Sequence, residues 1–369
     1  MSRPPLLLHA FPSFAVGGAQ VRFATIANHF GPRFRHAVVA MDGNLACRER
    51  LDPTLEVTFP EVPTRRGKLL HNLAVLRRAL RTIAPDMLVT SNWGTIEWAI
   101  ANRTGLVPQL HVEDGFGPEE RSRQIPRRVW FRRIFLAGRT VVVPSLTLRA
   151  IALGTWRLAP ARVQYVPNGV DLARFGIGPK AVWPGDGTVV GTVAALRAEK
   201  NIGRLLRAFA VAAKGLPGRM VVVGDGPERA SLQALATTLG IADRVHWAGH
   251  VPDPTSAIRS FDVFTMSSDT EQMPISLLEA MAAGLPVAAS DVGDIAAMLP
   301  LESRSFVVPA DPDALAIPLR RLLADATLRT TLGQANRARA VTAYDDQAMF
   351  SAWEGLWSGW ATTSVDPAL

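Results

Sequence analysis

Short apolar runs alternate with helically spaced apolar positions along the chain. Residues 6–11 (LLLHAF) predict a strand, and 12–16 a loop leading into Gly17-Gly18-Ala19-Gln20. Val21, Phe23, Ala24, Ala27 and Phe30 then recur at helix spacing. Residues 37–41, 87–89, 107–111 and 140–143 predict further strands, with a helical pattern over 69–83 between two of them. The second half repeats the rhythm, with strands over 189–193, 220–223, 245–248, 263–266 and 286–290. Between these, helices are predicted over 202–213, 228–239 and 275–283, the last stopped by Gly284 and Pro286. Apolar strands alternating with helices point to an α/β fold with two doubly wound parallel sheets. The boundary falls in 165–175 (YVPNGVDLARF), where a Pro-Asn-Gly turn suits a linker. This gives an N-terminal domain over 1–168 and a C-terminal domain over 169–344. Phe350, Trp353, Leu356 and Trp357 form a stripe in the tail, and a helix over 345–360 is expected to pack back on the first domain.

The chain has 369 residues, 48% hydrophobic and 20% charged, enough for two cores and inconsistent with disorder. Cys47 is the only cysteine, which excludes an intrachain disulfide and a cysteine metal cluster. No apolar run approaches a membrane span, and residues 1–11 lack a signal-peptide pattern, so a reduced cytoplasmic setting is expected.

Charge is unevenly spread. Residues 1–171 carry 23 Lys and Arg against 12 Asp and Glu; residues 172–369 carry 17 against 20. Much of the excess lies in 64–81 and 121–139. In the second stretch Arg127, Arg128, Trp130, Phe131 and Arg132 follow Pro126, which sits near a plausible helix start. A basic helix with bulky aromatics suits an anionic membrane surface or an acidic acceptor. An ordinary helix with a solvated arginine side and a core-facing aromatic side accounts for it equally well.

Open parallel sheets bind ligands beyond the carboxyl ends of their strands. Gly18 falls where a strand leads into a helix, so either a ligand approaches the backbone there or the glycines make a turn. Arg197 and Lys200 lie in a strand-to-helix loop, as phosphate ligands or as solvated charges. Glu271-Gln272-Met273-Pro274-Ile275-Ser276 follows a strand, and Glu279 lies eight residues beyond Glu271. The turn from Pro274 offers free backbone N–H groups to a phosphate, and the two carboxylates suit sugar or ribose hydroxyls.

These motifs occur in a recognisable order: 166–171 (VPNGVD), Leu196 with Glu199-Lys200-Asn201, 223–227 (VGDGP), and Glu271-x7-Glu279 running on to Gly284, Pro286, Asp291 and Gly293. The series resembles the retaining GT-B glycosyltransferases of family 4 over most of the chain, most strongly from Val166 to Gly293. The resemblance implies two Rossmann-like domains facing a cleft, and transfer of a sugar from a nucleotide-diphosphate donor with retention, UDP being favoured over GDP by family habit. It implies that Glu279 holds the ribose hydroxyls and Glu271 the donor sugar. It puts Arg197 and Lys200 on the diphosphate, with Gly18, Gly224, Gln272, Met273, Pro274, Ile275 and Ser276 around the donor. It implies a leaving phosphate that assists the incoming hydroxyl, with no metal or other cofactor. Asp311-Pro-Asp313, the only D-x-D, reads as a turn.

The chain departs from the family pattern in three places. Ala194-Ala195-Leu196 lacks the usual arginine, which Arg197 replaces in this reading. Gln272 stands where glycine is usual, and Val292-Gly293-Asp294 lacks the following glutamate. In His111-Val-Glu113-Asp114-Gly115, either His111 or Asp114 takes the place of the family's N-domain histidine. Asp114, Glu119 and Glu120 either bind acceptor hydroxyls or pair with the arginines that follow. The expected activity is sugar transfer to a lipid or lipid-linked saccharide at the cytoplasmic membrane face, in glycolipid or surface-polysaccharide synthesis. The protein would be peripherally bound to an anionic membrane. The alternatives are a nucleotide-sugar epimerase or hydrolase on the same fold, or a basic polyanion-binding module; no nucleic-acid motif is present.

Overall fold

The computed structural model describes residues 3–120 and 123–359. Arg121, Ser122 and Trp360, which the sequence reading included in its basic stretch and tail, lie outside them. The chain divides into two compact units. One holds residues up to Pro167 together with those from Met349 onward; the other is Asn168–Ala348.

The first unit is built on seven parallel strands: β1 (Leu6–Phe11), β2 (Arg35–Ala40), β3 (Val57–Thr58), β4 (Met87–Ser91), β5 (Gln109–Val112), β6 (Thr140–Val143) and β7 (Val163–Tyr165), in the order β3-β2-β1-β4-β5-β6-β7. The helices between them are α1 (Gly18–Phe30), α2 (Leu69–Ile83), α3 (Ile96–Ala101), α4 (Pro126–Phe135) and α5 (Leu146–Gly154). The sheet is buried on both faces. On one, Phe11, Phe23, Ile26 and Phe30 pack with Phe350, Trp353 and Trp357. On the other, Leu8, Leu76, Leu80, Leu88 and Trp98 form the core. Near-continuous apolar strands are the expected signature of such a sheet.

The second unit has α6 (Leu172–Gly176) and six parallel strands: β8 (Thr188–Val193), β9 (Gly218–Val223), β10 (Val245–Gly249), β11 (Val263–Met266), β12 (Val287–Ser290) and β13 (Val307–Val308), ordered β10-β9-β8-β11-β12-β13. Its other helices are α7 (Ile202–Ala212), α8 (Arg229–Thr238), α9 (Thr255–Arg259), α10 (Ile275–Ala282), α11 (Ile295–Met298), α12 (Pro312–Ala324) and α13 (Ala326–Ala343). A last helix, α14 (Asp346–Ser358), begins in this unit and from Met349 belongs to the first. Asp311 of the D-x-D caps α12, its Oδ1 accepting from the backbone N–H groups of Asp313 and Ala314 at 3.0 Å each.

In each sheet the strand order reverses once, between β1 and β4 and between β8 and β11. The carboxyl ends of those strands flank the crevice where a doubly wound sheet binds ligands.

Candidate active site

In the second unit the crevice is walled by the loops after β8 and β11. They are stitched together. Ser267 Oγ donates to Lys200 O at 3.1 Å, and Asp269 N–H to Glu199 O at 2.8 Å. Arg204 of α7 donates to Ser267 O and to Asp269 Oδ1, both at 2.6 Å. Asn201, in the left-handed region at φ 43°, caps α7 and also reaches Asp269. Lys200 Nζ lies 2.6 Å from Glu271 Oε1, which also accepts from Ser268 Oγ at 2.7 Å. Lys200 and Glu271 are thus held face to face, both mostly buried. Arg197 begins the short turn that ends at Lys200 and is exposed.

Pro274 precedes the first turn of α10 in extended geometry. The N–H of Leu277 bonds to Pro274 O; those of Ile275 and Ser276 belong to the turn whose donors point out of a helix start. Glu279 lies one turn further along, partly buried. Met273 is fixed from the linker, where Asn168 Nδ2 donates to Met273 O at 2.7 Å. Gln272 is partly exposed, and its carbonyl accepts from Asp294 N–H at 3.0 Å. The structure therefore places Arg197, Lys200, Glu271, Gln272, Met273, Pro274, Ile275, Ser276 and Glu279 in the loops and helix start beyond the carboxyl ends of β8 and β11.

Gly224 lacks a side chain for a reason of packing. At φ 139° it packs against Ala194, whose carbonyl fills the place a Cβ would need. Its lack of a side chain serves the close approach of the loops after β8 and β9. Gly293, at φ 58°, presses in the same way on the backbone of Glu271 and Gln272.

In the first unit Gly18 is exposed at the first turn of α1. His111 is fully buried on β5. Its Nδ1 lies 2.9 Å from Thr90 Oγ1 and its Nε2 3.4 Å from Glu113 Oε2. A ring enclosed in this way cannot touch a sugar, so the expectation for His111 is corrected. Asp114, just past the carboxyl end of β5, is partly buried. Its Oδ1 pairs with Arg22 of α1 at 2.7 Å, and its N–H donates to Asn92 Oδ1 at 2.7 Å. Asn92 sits at φ 56°, ψ 178°, an uncommon conformation for a residue with a side chain.

The basic helix α4 is also corrected. Arg132 is 1% exposed, its guanidinium held by Glu113 and Glu120 and enclosed by Trp93, Phe116 and Trp156. Arg128 pairs with Glu119 at 2.6 Å and Glu120 at 3.0 Å. Burial alone would raise the Glu120 carboxyl, but the charges and hydrogen bonds of Arg132 and Arg128 hold it below its ordinary value. Phe131 is half-buried beside Trp93 and Phe135. The outward stripe reduces to Arg127, Trp130 and Ile134, the last two 56% and 44% exposed. Of the nearby acids, Glu119 and Glu120 pair with following arginines, whereas Asp114 turns to Arg22.

Sequence reasoning missed Arg22, Asn92, Ser268, Arg204 and Asp269. Only the family motif and strand ends were available as signals; four of these residues are fixed by partners distant in the chain, and Ser268 by Glu271 three residues on.

The description "Glycosyltransferase Family 4" matches residues 16–174, and "Glycosyl transferases group 1" matches 177–339. A GDP-mannose-dependent alpha-mannosyltransferase of Mycobacterium tuberculosis is 32% identical over 282 residues, which are 70% of this chain and 71% of that protein. The chain belongs to glycosyltransferase family 4. The lipopolysaccharide core biosynthesis glycosyltransferase LpsE of Rhizobium meliloti is 32% identical over 172 residues, covering 46% of this glycosyltransferase and 49% of LpsE. Of another curated relative the alignment spans only 30%. HepE of Anabaena, solved with UDP and glucose, has the same GT-B fold with a TM-score of 0.80 at 18% identity, over 96% of this glycosyltransferase and all of HepE.

Proposed function

We propose that the enzyme is a retaining glycosyltransferase that moves a sugar from a nucleotide-diphosphate donor, UDP in preference to GDP, to a lipid or lipid-linked saccharide. The reading places it peripherally at the cytoplasmic membrane face, in glycolipid or surface-polysaccharide synthesis. One observation carries it: Lys200 and Glu271 stand 2.6 Å apart beside the opening turn of α10, at the switch point of the second unit's sheet. A cation, a carboxylate and outward-pointing amides in one crevice match a diphosphate bonded to a polyol.

In this reading Lys200, Arg197 and the N–H groups of Ile275 and Ser276 take the diphosphate and stabilise the charge that grows on it as the glycosidic bond breaks. Glu271 accepts from donor-sugar hydroxyls and Glu279 from those of the ribose. The departing phosphate oxygen receives the acceptor's proton on the face it leaves, which retains configuration without a protein base or a metal. The first unit binds the acceptor, with Asp114 aimed at its hydroxyls and the Gly18 turn beside it. The UDP-bound HepE structures support UDP, while the mannosyltransferase relative is named for GDP-mannose. Arg127, Trp130 and Ile134 supply the membrane contact. No helix among the described residues is long and apolar enough to cross a membrane.

The test is a melting screen against UDP, GDP, ADP and their common sugars. A ligand at 100 times its Kd stabilises by about 2.7 kcal/mol. One nucleotide family is expected to raise the melt, and Glu279→Ala to abolish the rise. A rise that survives Glu279→Ala would overturn the site.

A further inference from the structure

The loop after β5 has an unusual closure. Glu113, at the strand's end, and Glu120, seven residues on, both grip one guanidinium, that of Arg132 on α4. Nε and Nη2 reach Glu113 Oε2 and Oε1 at 3.2 and 3.5 Å. Nη1 reaches Glu120 Oε1 at 3.3 Å, and Nη2 reaches Glu120 Oε2 at 3.4 Å. Both carboxylates are fully buried, and Trp93, Phe116 and Trp156 surround the cation with ring centroids 4.9–5.4 Å from its central carbon. Glu120 Oε1 further accepts from Ile125 N–H at 3.0 Å, which ties in the start of α4. Behind Glu113 the polar chain continues through His111 to Thr90 and Gln109.

Burying three charges is a poor route to stability, since a well-packed apolar replacement is commonly as stable or more so. What a fork-shaped cation supplies is direction: five fixed donors that hold two carboxylates at one separation. The segment it closes contains Asp114, which is bonded in turn to Arg22 and Asn92.

We propose that Arg132, Glu113 and Glu120 form a clasp that positions the 114–119 loop, and with it Asp114, for the sugar-transfer reaction. Arg132 is thereby a positioning residue inside the protein rather than a membrane contact. The role given to Asp114 rests on the function proposed above; the clasp itself does not.

Two variants test it. Arg132→Lys keeps the charge but replaces the fork with a single point. The triple variant Glu113→Gln/Arg132→Met/Glu120→Gln removes all three charges at similar volume. Amide exchange is expected to quicken at least tenfold over 115–119 in Arg132→Lys, with β6 unchanged. With a membrane-lipid extract supplied as acceptor, UDP release from UDP-glucose is expected to lose at least tenfold in kcat in both variants, with KM for UDP-glucose within twofold. A purely structural role would lower the melt and leave kcat alone. Unchanged exchange over 115–119, or kcat within twofold in a folded variant, overturns the proposal. So does failure of both variants to fold, which would make the cluster a folding requirement. If the wild-type protein binds no nucleotide, the proposed function fails, and the exchange experiment still decides the clasp.

Discussion

Lys200 Nζ and Glu271 Oε1 lie 2.6 Å apart, so the cation and the carboxylate of the crevice neutralise each other. Under the function proposed above, a diphosphate entering there competes with Glu271 for the lysine, and a sugar hydroxyl takes up the carboxylate that is released.

This competition has a sign. Glu271→Gln removes the internal rival, so UDP alone is expected to bind several-fold more tightly while turnover falls. Lys200→Ala is expected to weaken UDP and cost about 10²–10³ in kcat, the usual loss for one donor to a developing charge. Calorimetry with UDP and initial rates with UDP-glucose read both. Weaker UDP binding by Glu271→Gln would sink the competition.

Two glycines are expected to be intolerant for reasons of space. Gly224→Ala drives a methyl into Ala194 O, and Gly293→Ala drives one into Glu271 O. Gly240, also at positive φ (+68°), faces open space and serves as the control. Gly240→Ala is expected to cost about 1–2 kcal/mol, the left-handed penalty alone. The other two should cost clearly more in denaturant titrations. Equal losses at all three positions would contradict the packing argument.

The first unit is expected to be acid-sensitive. His9 Nε2 and His36 Nδ1 meet at 3.1 Å in the aromatic core, beside Phe23 and Trp357. Burial pushes His36 down to about 4, and burial and then the neighbouring His36 push His9 well below its ordinary value. The folded chain therefore favours neutral rings, while the unfolded chain protonates near 6.5. Stability from this pair is complete above the unfolded value and is lost as pH falls from about 6.5 toward 4. His36 alone accounts for about 2 kcal/mol at pH 5. Melts from pH 7.5 to 4.5 should show the decline, and His36→Asn should flatten it.

Membrane association is expected to depend on the outward stripe of α4. Trp130→Ser/Ile134→Ser should lower sedimentation with vesicles containing phosphatidylglycerol several-fold. Binding unchanged in that variant, or indifferent to the anionic lipid content, would remove α4 as the contact.

Much of the fold was legible because its strands are buried on both faces. The runs over 6–11, 140–143 and 263–266 coincide with β1, β6 and β11. The edge strands β3, β7 and β13, of two or three residues, are too short to show a pattern. The loops after β8 and β11 were legible as motifs, because their residues stand at fixed places within one loop each. The residues around the loop after β5 were not. His111, one of the two candidates for the family's N-domain histidine, is enclosed by Thr90 and Glu113, and Arg132, read as part of a basic surface helix, is neutralised by two glutamates upstream. Burial of a charge depends on partners brought by other elements, which periodicity does not report. The packing at Gly224 was hidden for a related reason: the group approaching it is Ala194, thirty residues earlier.

The helix α14 starts in one unit and finishes in the other, and this sets an order of synthesis. Residues 168–348 leave the ribosome as an uninterrupted block, so the second unit has its whole sequence available first. The first unit, although made earlier, waits for Phe350, Trp353 and Trp357 to close one face of its sheet. Until then Phe30, Phe34 and the His9–His36 pair lack the rings that pack on them. The earlier-made unit is the later to mature, and a frameshift or stop near residue 348 would damage a sheet whose own strands were all translated correctly.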